Sequence, residues 1–181
     1  MDTSYGQPYW KHISEEIPQV LQQWLQLDIS RAHSFVSGIS MGGYGAAKLA
    51  LQKPNQFAQA YLLSPVTDIV GIAQQGFVHE RNDGAPQLNK FHFDAILGDR
   101  HIRDTSDDLF FLLEHGCVAA FPKFKIYTGT EDFMYNDILH FAYALTKRGA
   151  DCSLQTSHGK HGWRTWEPFL ADMVARIVAS A

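Results

Sequence analysis

The stretch Gly38-Ile39-Ser40-Met41-Gly42 sets a serine between glycines where the β-rich run SFVSGIS gives way to the small-residue run MGGYGAAKLALQK. A serine hydroxyl becomes a nucleophile only when a neighbouring base takes its proton, and the base needs an acid to orient it. The G-x-S-x-G pattern supplies a tight strand-to-helix turn that exposes such a hydroxyl. The same residues also fit a glycine-rich turn with a capping serine, so the motif alone is a weak signal. Where the motif is used on a strand–turn–helix, acid and histidine follow the serine in that order. The chain offers both in order: Asp132 in YTGTEDFMYND and His161 in TSHGKHGW. Glu131, one residue out of phase, and Asp137, at an expected helix start, compete for the acid role; His158 competes for the base. His158 and His161 form an H-x-x-H pair, but with no further placed ligands it is poor grounds for a metal, and none is expected.

These side chains can meet only if the elements between them bring them to one edge. Residues 8–27 read as a helix, with Ile13, Ile17, Val20, Leu21, Trp24 and Leu25 at three-and-four spacing and Pro18 predicting a kink or a restart. The runs SFVSGIS and FAQAYLLSP lack clean alternation, which suits strands buried on both faces. FKIYTGTED and ADCSLQTSH read as two further strands. Helices are expected after the first strand, over DDLFFLLEHG with Asp107 or a neighbour as cap, over NDILHFAYALTKRG up to Gly149, and over GWRTWEPFLADMVARIVAS with Pro168 in its first turns. Residues 66–108 read as an irregular, cap-like excursion with short helices near 69–75 and 93–97. Alternation of this kind predicts a parallel sheet with helices on both faces. Ligands then bind beyond the carboxyl ends of the strands, where Ser40, Ser64, Asp132, His158 and His161 all fall.

Composition narrows the classes. With 181 residues, 45% hydrophobic and 19% charged, the chain has enough apolar material for one domain, 1–181. A net charge of −4 without a basic cluster argues against a nucleic-acid partner. No run approaches the roughly 20 apolar residues of a membrane span. The polar start MDTSYGQPYWKH lacks the regions of a signal peptide, and two isolated cysteines, Cys117 and Cys152, fit a reducing compartment. The expectation is a cytoplasmic protein.

Taken together, GISMGGYGAAKLAL, GTEDFMYND and HGWRTW resemble the putative esterase family of α/β-hydrolases, which includes tributyrin esterase-like and S-formylglutathione hydrolase (esterase D)-like enzymes. YGQPYWKHISEEIPQ and ILGDRHIRDTSDDLFFLLEH also resemble family segments, so the likeness runs along nearly the whole chain. The resemblance implies Ser40 as nucleophile, Asp132 as acid and, through the H-x-W-x-x-W register with Trp163 and Trp166, His161 rather than His158 as base. It implies the Met41 amide as an oxyanion donor and brings Trp163 forward as a pocket wall, beside its reading as a core tryptophan. The implied activity is hydrolysis of a small ester or thioester through an acyl-enzyme, without a cofactor; acyl transfer would use the same triad. Residues 66–108 are expected to roof the site, with Phe77, His79, Phe91 and Phe93 either facing an acyl chain or packing the roof.

Nothing here matches the family's "LLHG"-like loop, which gives the second oxyanion donor. The expectation is therefore an α/β-hydrolase-like sheet of about four strands, truncated at its N-terminus relative to the family. The nucleophile strand would become an edge. That edge would pair with another chain, including a second copy, or be covered by the N-terminal helix; a non-catalytic or partner-dependent fragment is the alternative reading.

Overall fold

The computed structural model describes residues 8–75 and 101–180. Four strands, β1 (Phe35–Ile39), β2 (Gln59–Leu63), β3 (Lys123–Gly129) and β4 (Cys152–Ser157), form one parallel sheet in the order β1-β2-β3-β4. Among the described residues the longer helices are α1 (Ile17–Leu25), α2 (Met41–Gln52), α3 (Ile69–Gln75), α4 (Leu109–His115), α5 (Tyr135–Lys147) and α6 (Trp163–Ser180). This is the α/β architecture expected from the alternation. The helix expected near residues 93–97 and the roof candidates Phe77, His79, Phe91 and Phe93 lie outside the described residues.

The layering follows from handedness. Each crossover steps one strand in the same direction, and parallel crossovers are right-handed. The connecting helices must then lie on one face, which leaves the last helix to cover the other. Accordingly Val36, Ala60, Leu62, Phe124 and Ile126 pack with residues of α2, α4 and α5, among them Ala47, Leu109 and Phe141. Tyr61, Leu63 and Tyr127 point the opposite way onto Trp166 and Phe169 of α6. β2 is buried on both faces, as its unbroken apolar run predicts, whereas β1 is only partly buried.

Several local signals work as read. Pro18 falls in the first turn of α1, directly after a widened, π-helical stretch His12–Glu16. It has no N–H for the Ser14 carbonyl, and the Gln56 amide donates to that oxygen instead, at 3.4 Å. The cap of α4 is Asp108, which accepts from the amides of Phe110 and Phe111, while Asp107 forms a partly buried ion pair with Lys48. Gly149 follows α5 with φ of +88°, a conformation that glycine adopts without steric penalty.

The N-terminal helix departs from its pattern. Its apolar stripe is present, yet Ile13, Val20, Trp24 and Leu25 are exposed, Trp24 by 80%. Among the described residues no element packs over that face. A groove of about 520 Å³ lies between α1 and β1, lined by Ile17, Leu21, Phe35, Val36 and Leu49 among others. Among the described residues, β1 is an outer strand of the sheet.

The two cysteines are free and differ in setting: Cys117 is exposed, while burial pushes the Cys152 thiol up to about 11. The thiolate is the reactive form. At pH 8 a disulfide reagent is therefore expected to modify Cys117 quickly and Cys152 much more slowly. Two thiols reacting at one rate in the native protein would contradict this burial.

Candidate active site

Ser40 stands between β1 and α2 with φ of +56° and ψ of −117°. A non-glycine residue with positive φ is strained, so the turn must be held by its surroundings. The Ser40 N–H donates to the Leu63 carbonyl at 2.9 Å, and its own carbonyl accepts from Tyr44 and Val66, both at 3.1 Å. β2 and its exit thus brace the turn from one side and α2 from the other. Next to it, Met41 is the first residue of α2. An amide in the first turn of a helix has no intrahelical acceptor, so the Met41 N–H has none within α2.

The acid and the base come from two interlocked loops. After β3, the Thr130 and Glu131 amides donate to the carbonyls of Ser157 and Gly159, both at 2.9 Å. The loop after β4 is closed by Thr165, whose hydroxyl donates to the Lys160 carbonyl at 2.6 Å. Between them lies a continuous chain of hydrogen bonds. His161 Nε2 is 3.0 Å from Ser40 Oγ, and its Nδ1 is 2.8 Å from Asp132 Oδ2. The other Asp132 oxygen accepts from the Met134 amide at 3.0 Å. The side chains of His161 and Asp132 are almost wholly shielded from solvent. Proton transfer from Ser40 to a held imidazole, with a buried carboxylate behind it, is the chemistry this arrangement permits.

The competing residues go elsewhere. Glu131 faces His158 at 3.6 Å, both well exposed on the rim. Asp137 sits in the first turn of α5, where its charge favours the helix dipole. Trp163 is 67% exposed and meets Trp166 edge-on, with centroids 5.6 Å apart, so it is not a core tryptophan. Among the described residues no group of three or more His, Cys, Asp or Glu could hold a metal ion.

Two aromatic rings pack on the site, and one of them, Phe133, is not singled out by the sequence. The imidazole of His161 lies between Phe133, at 4.9 Å, and Trp166, at 4.8 Å and perpendicular to it. Phe133 was inside the GTEDFMYND segment, but nothing in its type or spacing sets it apart from a core residue.

The family described as "Putative esterase" matches residues 2–116, well over half of the chain. The chain belongs to that family. It is 30% identical to FphF, a fluorophosphonate-binding serine hydrolase of Staphylococcus aureus solved with substrate bound. That match has a TM-score of 0.81 and covers 98% of this chain and 66% of that one. It is also 30% identical to the S-formylglutathione hydrolase FrmB of Staphylococcus aureus, with a TM-score of 0.76 and the same coverages. An acetyl esterase of Caldicellulosiruptor saccharolyticus is 25% identical over 170 residues, which is 91% of this chain and 61% of that protein. The chain thus spans a little under two thirds of the length of these relatives. Among the described residues, no helix is long and apolar enough to cross a membrane.

Proposed function

We propose that the chain carries the active site of a serine esterase acting on small carboxylic esters or thioesters. The observation behind this reading is the Ser40–His161–Asp132 hydrogen-bond chain, with the serine on a strained turn. Ser40 Oγ attacks the substrate carbonyl carbon while its proton passes to His161 Nε2. The negative charge that develops on the carbonyl oxygen is met by the Met41 amide. Asp132 holds Nδ1–H and so keeps Nε2 free to accept. The tetrahedral adduct collapses, the alcohol or thiol leaves with the proton from Nε2, and Ser40 keeps the acyl group. Water then repeats the sequence with Ser40 as leaving group, releasing the acid. Transfer to another alcohol would follow the same steps.

Small acyl groups and thioesters are favoured because similar proteins are an acetyl esterase and an S-formylglutathione hydrolase. Trp163, exposed beside Trp166 at the start of α6, would wall the acyl or the alcohol pocket in this reading. The decisive experiment treats the 181-residue chain with a fluorophosphonate and maps the adduct by mass spectrometry. The expected result is one adduct, on Ser40; no adduct, or one on another serine, would overturn the assignment. A series of p-nitrophenyl esters from acetate to octanoate then ranks the acyl groups.

A second reading, a hydrolase-like chain that needs a partner for turnover, is favoured by the outer position of β1 and the open groove beside it. In that reading the partner supplies one oxyanion donor, and the chain alone turns over about 10²–10³ more slowly. A Ser40 adduct without measurable p-nitrophenyl acetate hydrolysis would favour this reading.

A further inference from the structure

The two hydrogen bonds of His161 leave one motion of its ring poorly restrained. They run from opposite nitrogens, to Ser40 at 3.0 Å and to Asp132 at 2.8 Å, and so lie roughly along one axis. Rocking about that axis stretches neither bond much. What opposes it is the packing of Phe133 and Trp166 on the ring. Trp166 is itself tied down: its indole N–H donates to Ser64 Oγ at 3.0 Å, in a fully buried contact.

Ser64 stands in an unusual place. It follows β2 with φ of +42°, has no solvent exposure, and donates its amide to the Tyr127 carbonyl at 2.7 Å. A serine kept at positive φ is strained, so its surroundings fix where the hydroxyl points. The residues around it are the ones that brace the nucleophile: Leu63 takes the Ser40 N–H and Val66 donates to the Ser40 carbonyl. One short segment, residues 63–66, thus holds Ser40 through its backbone and reaches His161 through Trp166.

We propose that Ser64 is a positioning residue, which through the Trp166 indole fixes the tilt of the His161 ring between Asp132 and Ser40, and so the alignment of Nε2 with the hydroxyl. This rests on the esterase reading. The bond ties the nucleophile's support on β2 to the base's support on α6. Without it, Trp166 can shift and the imidazole gains freedom to rock, which turns Nε2 out of line with the hydroxyl.

Three variants of the 181-residue chain test this: Ser64→Ala removes the acceptor, Trp166→Phe removes the N–H but keeps an aromatic ring, and the third combines both. Because one bond is lost in each case, the effects should not multiply. Each is expected to slow fluorophosphonate labelling about five- to tenfold, the scale of one neutral hydrogen bond. The double variant should be no slower than either single one. The Nδ1 proton shared with Asp132, observed by NMR and assigned by its loss in His161→Gln, should exchange with solvent faster in all three. Where esters are turned over, kcat should fall and KM should stay within twofold. Labelling losses that multiply in the double variant, or unchanged labelling and proton exchange in either single variant, would overturn the proposal. A merely structural role would lower Tm and leave the proton exchange of the folded protein unchanged. If wild-type Ser40 takes no label, the esterase reading fails, and the exchange of the His161 proton still decides whether this bond holds the ring.

Discussion

Replacing Asp132 by asparagine is expected to lower turnover about ten-thousandfold while leaving the fold intact. The argument concerns where one proton sits. Asp132 Oδ1 accepts from the Met134 amide and Oδ2 from His161 Nδ1. Asparagine has one oxygen and one NH₂ in the same shape. The buried Met134 N–H claims the oxygen, because turning the NH₂ toward it would oppose two donors at a cost of about 1–3 kcal/mol. The NH₂ then faces Nδ1 and makes it the acceptor. The ring proton moves to Nε2, which meets Ser40 Oγ as a donor and can no longer take its proton. Substrate contacts are untouched, so the loss should appear in kcat and not in KM. Labelling by a fluorophosphonate should slow in the same proportion, with thermal melting little changed. Glu131→Gln is the control, because Glu131 pairs with exposed His158 on the rim and should stay within twofold of wild type. A loss under tenfold for Asp132→Asn would remove Asp132 from the relay.

The elements that carry this relay were legible in the sequence because each leaves a local trace. Apolar runs bounded by turn residues marked β1 and β2, alternation with helices placed β3 and the more polar β4, and each candidate followed the carboxyl end of a strand. The choice between His158 and His161 was different. Both follow β4 within a few residues, and the direction of a loop depends on contacts such as the Thr165 hydroxyl on the Lys160 carbonyl. Only the register with the two tryptophans pointed to His161. Trp166 was read as part of a helix stripe, which is true of its ring. Its N–H bond to Ser64 joins residues 102 positions apart, and no spacing rule reports that. The N-terminal helix shows the converse. Its periodicity forecast the helix and the restart at Pro18, but periodicity marks a face without saying what covers it, and Trp24 remains in solvent.

The two outer glycines of the motif look equivalent in sequence, and substitution is expected to separate them. A Cβ on Gly38 would lie 2.0 Å from the Gly42 carbonyl oxygen and 2.7 Å from the Gly43 nitrogen. These are backbone atoms in the first turn of α2, so no rotamer change relieves the clash. Nor can the helix retreat freely: Tyr44 and Val66 donate to the Ser40 carbonyl on either side of the turn. Gly38→Ala should therefore cost about 3 kcal/mol or more, the range of severe overpacking. For a chain of this size that lowers Tm by about 6–12 °C, and labelling of Ser40 should be lost as the turn opens. At Gly42 a Cβ meets nothing within 4 Å. Alanine also favours a helix over glycine by up to about 1 kcal/mol, so Gly42→Ala should melt at or slightly above the wild-type temperature. Its methyl group would instead enter open space one residue from Met41, whose amide the proposed reaction uses, so kcat/KM is expected to fall without any loss of stability. Thermal melts and labelling rates on the two variants make the comparison. Equal Tm losses would mean that the motif is only a packing device, whereas separate effects assign the first glycine to holding the turn and the second to leaving room for the reaction.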